Sequence, residues 1–332
     1  MTTKLQRNQT LECCRILAAV FVVFLHVPFP GTVGKMVNCL ARFAVPLFFA
    51  ISGWFSYGAE GRKLLRRMGR ILLLEAGGIG LTVLWKCLLT VSQGGSVREC
   101  LLSLIPGAQA FGKWLVWNVD PFAGHLWYLS AMAACYGALW LYTRMFREKE
   151  TDYRGLYLLS GILLLTHFAM ANFSRFTGIA VDYTVSRSGL FFGLPMFAMG
   201  IFLKQHRESL LKRRLIPILV LGFGLSLLER FVLRPSDLPV AMPAAVAAVL
   251  LLAQKHPTVP EGWLRRASAW FGPLSTCVYI VHLTVLEAWQ QWAAPHMDPA
   301  EGWIRPIAVA AISLAAGTVW LRIKTTVQKI RK

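Results

Sequence analysis

The chain is 332 residues long, 56% hydrophobic and only 15% charged, with a mean hydropathy of +0.52. Soluble domains carry about 25% charged residues and shorter apolar runs, so composition excludes an ordinary soluble protein and defines a polytopic membrane protein. A net charge of +19 would suggest nucleic acid in a soluble chain. No recognition module is visible, however, and the basic residues sit beside apolar runs as topology signals, so nucleic acid is not expected as a partner.

Ten apolar segments are expected as membrane helices, making the fold all-α in a lipid bilayer. They fall at 10–29, 37–57, 71–91, 125–143, 155–173, 188–204, 215–233, 239–254, 270–292 and 303–322. The eighth is short and Pro243 interrupts its start. Alternate connections differ sharply in charge. One set, which includes both ends of the chain, holds 24 of the 35 Lys and Arg residues. The other set holds seven: Lys35, Arg98, Lys113, Arg175, Arg187, Arg234 and Arg305. The positive-inside bias then places both termini in the cytoplasm, with 323–332 as a short basic tail and no soluble domain. The N-terminal run resembles a signal peptide but lacks a small-residue cleavage site and carries charge, so it reads as an uncleaved first span. Seven cysteines lie mostly in apolar runs without ligand spacing, which supports neither a metal site nor a disulfide framework.

The first segment, LECCRILAAVFVVFLHVP from Leu11 to Pro28, carries Glu12, Arg15 and His26. Arg15 and His26 are eleven residues apart, which at about 100° per residue is close to three turns, so they share a face about 16 Å apart along the axis. Ionisable groups in a membrane helix are costly and normally face a protein interior or a wet cavity, so this is the candidate reacting face. The second segment places Arg42 near the outer side, at a depth similar to His26, and Pro46 is expected to kink it.

Next comes GRKLLRRMGR, residues 61 to 70, with Arg62, Lys63, Arg66, Arg67 and Arg70. It reads either as a topology anchor touching anionic lipid or as a phosphate cradle, since Arg at i and i+3 can hold phosphate oxygens bidentately. Glu75 is expected to pair locally with Arg70 or Arg66. The connection 92–124 is the longest outside loop and leads into His125, Trp127 and Tyr128. The two aromatics suit interface anchoring, whereas His125 suits an acceptor site. His167, in the fifth segment, reads as a hydrogen-bonded packing residue. Tyr279 and His282 in the ninth segment are neighbours at i and i+3, near mid-membrane.

Taken together, these motifs resemble the acyltransferase 3 family of integral membrane acyltransferases. Arg15 and His26 match its Arg-x10-His motif, although Glu12 stands where Asp is common. Arg42, Phe43, Val45, Pro46, Phe48, Phe49, Ser52 and Gly53 are similar to its RFxVPxFFxxSG segment. Arg67 and Arg70 match its Arg-x-x-Arg, and YIVH at 279–282 is similar to its YxxH-type ending. The segments HLWYLSAM and SRSGLFFGLPMFAMG look most like the membrane domain of vancomycin-resistance serine/alanine racemases, but no racemase domain follows here.

The resemblance implies one domain over 1–332 that moves an acyl group, acetyl by analogy, from cytoplasmic acyl-CoA to a hydroxyl. The acceptor would be extracytoplasmic or membrane-associated, such as a cell-surface glycan, and the location a bacterial cytoplasmic membrane. His26 would be the general base, and Arg15, Arg67 and Arg70 would bind the acyl-CoA co-substrate, with no metal. Arg42, His125, Tyr128, Tyr279 and His282 are substrate-site candidates, with Arg42 or Tyr128 at the oxyanion or acceptor. A competing reading is a serine/alanine uptake module, in which the same polar face lines a transport path and no phosphate cradle is needed. A purely structural partner for a separately encoded enzyme is the third.

Overall fold

The computed structural model describes residues 7–146, 152–179, 181–233, 236–297 and 301–330. Lys4, Arg147, Lys149, Arg234, Arg331 and Lys332, which enter the charge bias above, lie outside the described residues. The helices, in chain order, are α1 (Gln9–His26), α2 (Gly31–Ala41), α3 (Ala44–Trp54), α4 (Gly61–Ser92), α5 (Val97–Ser103), α6 (Ala108–Trp117) and α7 (Trp127–Met145). They continue as α8 (Arg154–Thr177), α9 (Tyr183–Ser186), α10 (Leu194–Gln205), α11 (Arg207–Leu210), α12 (Leu215–Val232), α13 (Met242–Lys255), α14 (Trp263–Trp292) and α15 (Glu301–Ile330). A 3-10 turn at Gly124–Leu126 leads into α7, and a π-helical turn at Gly189–Gly193 leads into α10. No strand occurs among the described residues.

Among the described residues, seven stretches are long and apolar enough to cross a membrane: Gln9–His26, Gly31–Trp54, Gly61–Ser92, Arg154–Phe173, Leu215–Val232, Trp263–His296 and Gly302–Thr326. The chain is thus an all-α polytopic membrane protein. Gly189–Gln205 and Met242–Lys255 are shorter apolar helices, and α7 coincides with the remaining expected segment. Leu158, Leu165 and Ile216 are each at least 65% exposed on their helices, as expected of side chains that meet acyl chains rather than water.

Local chemistry accounts for the helix ends. The Asn8 side chain accepts from the Leu11 amide and caps α1, with Glu12 in the first turn where the helix dipole favours an anion. The second expected segment is not one kinked helix. It breaks at Arg42–Phe43 into α2 and α3. Pro46 offers no amide to the Arg42 carbonyl four residues back, and its ring crowds that carbonyl, so the chain turns there. Pro243 does not interrupt its helix: α13 starts at Met242, so the proline falls in the first turn, where no donor is needed. The expected tail continues α15 as far as Ile330.

The described residues group into two compact units. The first contains Met1–Phe48 and His206–Lys332, and the second Phe49–Gln205. In the first unit α1 packs on α14, α14 on α15 and α12 on α13. Its core is Ala19, Val23 and Val27 of α1, Leu274 and Val278 of α14, and Val309, Ala310 and Leu321 of α15. Ala18 and Ala19, both fully buried, keep the α1 surface narrow enough for close helix approach.

In the second unit α4 packs on α7, and α7 and α8 both pack on the π-helical turn. Phe49, Met132, Leu139 and Phe197 are fully buried there. The end of α3 lies directly on α10: a Cβ on Gly53 would overlap the Phe197 carbonyl, and one on Gly200 would overlap the Ala50 carbonyl. Glycine is therefore required at both positions for backbone-to-backbone contact.

Candidate functional site

The first unit gathers the polar face of α1. Glu12, 6% exposed, accepts from Arg7 Nε at 3.0 Å and lies 3.5 Å from Arg15 Nη1, one turn on. Arg7 Nη1 also donates to the Ala269 carbonyl of α14 at 2.5 Å. The opposite wall is Gly272, where a Cβ would meet Glu12 Oε2 and Arg7 Nη2. The acidic residue before Arg15 is thus an anchor between two guanidiniums, seated on bare backbone of α14.

At the far end of α1, His26 meets His282 of α14, with ring centroids 5.1 Å apart and planes tilted by 47°. His282 is fully buried. Its Nδ1 lies 2.7 Å from the Tyr279 carbonyl. A carbonyl only accepts, so Nδ1 carries a proton and donates to it. The Tyr279 ring is 6.1 Å from the His282 ring. Helical spacing alone joins Tyr279 to His282, but the contact with His26 comes from α1 packing on α14 across more than two hundred intervening residues.

Arg42 sits where α2 ends and forms an ion pair with Asp237, both side chains 23% exposed. Asn38 Oδ1 adds a longer contact at 3.4 Å. Sequence reading singled out Arg42 but not Asp237, whose only signal is an acid in the outer connection before α13.

The second unit holds the remaining candidates. Arg67 Nη1 donates to the Phe55 carbonyl at 2.7 Å and to Ser56 Oγ at 2.9 Å, which fastens the basic start of α4 to the turn after α3. Arg70 is exposed on the same helix. His125, in the 3-10 turn, is 4% exposed. The Tyr128 ring stands edge-on to Phe49 at 4.9 Å. Trp127 is buried among Phe49 and Phe192, with the Arg187 guanidinium 4.8 Å over its ring, so it is a core residue rather than an interface anchor. His167 is buried and contacts the Ser186 carbonyl through Nδ1 at 2.8 Å.

Glu75 departs from expectation. It pairs with neither Arg66 nor Arg70. It is 3% exposed and accepts from Ser130 Oγ and from Trp114 Nε1, the latter at 3.3 Å. Nine residues from Arg66 is about half a turn beyond two full turns, so the acid points away from that cation. Asp120, just before the 3-10 turn, is likewise buried, and its Oδ1 accepts from the Phe122 and Ala123 amides at 2.8 and 2.9 Å. Burial pushes its carboxyl above the ordinary value, against the lowering effect of those amides and of Lys86. Sequence reading missed Glu75 as a buried group because its donors, Trp114 and Ser130, come from distant segments; Asp120, held by the amides that follow it, was not singled out at all.

Apolar helices with buried ionisable groups on their inner faces define an integral membrane protein with an intramembrane polar site. A sequence model of the acyltransferase 3 family, described as an acyltransferase domain, matches residues 8–322. The chain belongs to that family and is a membrane acyltransferase. Searches among curated proteins and among solved structures found no match.

Proposed function

We propose that the chain moves an acyl group, acetyl by preference, from cytoplasmic acyl-CoA to a hydroxyl on an extracytoplasmic or membrane-associated acceptor such as a cell-surface glycan. The membrane would be the cytoplasmic membrane of a bacterium, with both termini on the side marked by the Lys and Arg bias. The observation that carries this reading is the contact between His26 and His282 at one end of α1, with Arg15 held by Glu12 near the other.

In this reading His26 takes the proton from the acceptor hydroxyl as its oxygen attacks the thioester carbonyl. The carbon–sulfur bond then breaks, and the proton passes from His26 to the departing CoA thiolate, leaving the base as it began. The Tyr279 carbonyl accepts from His282 Nδ1 and fixes the orientation of that ring beside His26. Arg15 is the proposed contact for the extended CoA arm, because about 16 Å of helix separates it from His26 and one thioester cannot touch both. Arg67 and Arg70 are the proposed phosphate contacts, as arginine suits bidentate phosphate binding.

Saturable binding of acetyl-CoA to the purified full chain tests the donor assignment. Binding weakened in Arg67→Ala/Arg70→Ala is expected. A folded protein that binds neither acetyl-CoA nor longer acyl-CoAs would overturn the donor assignment.

A further inference from the structure

Cys87 of α4 and Cys100 of α5 place their sulfurs 3.7 Å apart. Cys100 is 7% exposed, and Cys87 is half-buried. The fold brings them together by a defined reversal. At the end of α4 the Gly95 amide donates to the Thr90 carbonyl and the Gly94 amide to the Val91 carbonyl. Gly94 takes φ +82°, the left-handed conformation such a helix end requires. Ser96 then caps α5 through the Arg98 amide and turns it back along α4. The other cysteines have different surroundings. Cys39 donates to the Ser226 carbonyl, Cys135 faces the Gly189 carbonyl, and Cys13 and Cys14 are adjacent in sequence.

Along α4, 21 residues separate Arg66 from Cys87, or about 32 Å, against a hydrocarbon core of about 30 Å. With the basic start of α4 at the cytoplasmic surface, the sulfur pair lies at the opposite surface. In a bacterium that surface faces an oxidising compartment, where disulfides persist. The placement rests on the charge-bias topology and is independent of the acyl-transfer reading.

We propose that Cys87 and Cys100 form a disulfide that staples α5 to the outer end of α4. Forming it requires the sulfurs to close to about 2.05 Å, a movement within reach of side-chain rotation. The oxidant is a disulfide, protein-borne or small. The more accessible Cys87, as thiolate, attacks one sulfur of that disulfide and releases the other as a thiol. The Cys100 thiolate then attacks Cys87 Sγ in the mixed disulfide and releases the second thiol. Two cysteine thiols are oxidised and one disulfide is reduced to two thiols.

The test is peptide mapping of the full chain, alkylated with N-ethylmaleimide as the membranes are opened. Trypsin cuts after Lys86, Arg98 and Lys113, so each cysteine lies alone in its own peptide, 87–98 and 99–113. The expected result is these two peptides linked, two hydrogens lighter than their sum, and separated by reductant. A membrane-impermeant reductant should also lower the thermal midpoint of the wild-type chain in detergent and leave a Cys87→Ser/Cys100→Ser variant unmoved. Alkylation of both cysteines in protein harvested from its native membrane would overturn the proposal, as would linkage of either to a third cysteine.

Discussion

Each unit buries one carboxylate within a membrane helix, and the two are held in opposite ways. Glu12 in the first unit lies between two guanidiniums, Arg7 and Arg15. Among the described residues, Glu75 in the second accepts from neutral donors alone, the Ser130 hydroxyl and the Trp114 indole. A carboxylate held by cations fixes charges in place and keeps Arg15 oriented on the face that ends at His26. One held by neutral donors ties α4 to α6 and α7. In the proposed mechanism the chemistry falls to the first unit, and the neighbourhood of Glu75 serves as scaffolding.

The strongest way to break that assignment is at His26. His26→Ala should lower turnover by about 10²- to 10⁴-fold, the range for losing a general base, with saturable acetyl-CoA binding retained. The reverse pattern, normal turnover with weakened binding, would move the chemistry away from α1. Transfer of radiolabelled acetyl from acetyl-CoA into the glycan and lipid fractions of membranes holding the full chain, set beside acetyl-CoA binding, separates the two outcomes.

The two carboxylates can then be compared directly. Glu12→Gln leaves Arg7 and Arg15 facing a neutral amide. Both arginines are partly exposed, at 48% and 35% of their side chains, so the cost falls below that of a dry ion pair, at about 2 kcal/mol. Glu75→Gln keeps a carbonyl oxygen for Ser130 and Trp114 and should cost about 1 kcal/mol. Thermal midpoints in one detergent should therefore fall further for Glu12→Gln, and only Glu12→Gln should also reduce acyl transfer. An equal loss of transfer in Glu75→Gln would abolish the distinction between the units.

The same contrast explains what was legible in the sequence. Glu12, Arg15 and His26 share one helix face by arithmetic alone, and the apolar runs announce the all-α membrane class. The partner that seats Glu12, Gly272, is one of 27 glycines and carries no spacing signal. Glu75 looked like a neighbour of Arg70 because proximity in sequence is visible, whereas Ser130, 55 residues away, is not. The break at Arg42–Phe43 was half legible: Pro46 marked a disturbed helix, but only the folded chain shows the turn and the Asp237 that meets Arg42 there.

Gly272 offers a smaller and more local test. A methyl group at this position would press on Glu12 Oε2 and Arg7 Nη2. Those are side-chain ends, so the pair would shift rather than the helices part. Gly272→Ala should cost about 1 kcal/mol, the low end of overpacking. It should weaken acyl transfer through Arg15 while leaving the His26–His282 contact in place. A variant with full stability and full transfer would show that Glu12 does not need its seat on α14.

The smallest expected effect concerns the second unit and is a dependence on pH. Burial raises the Asp120 carboxyl above its ordinary value of 3.8 in the folded chain, outweighing the amides of Phe122 and Ala123 and the charge of Lys86. A raised folded value means the native chain binds more protons than the unfolded one across that window, so stability falls as pH rises. The contribution is fully present below the unfolded value and is lost as pH climbs through the folded one. Asp120→Asn keeps an oxygen for the two amides and removes the ionisation. Its thermal midpoint should match the wild type in acid and exceed it slightly once the wild-type carboxyl is charged. A variant that matches the wild type in acid but falls below it at neutral pH would mean that amide hydrogen bonding, rather than burial, governs this carboxyl.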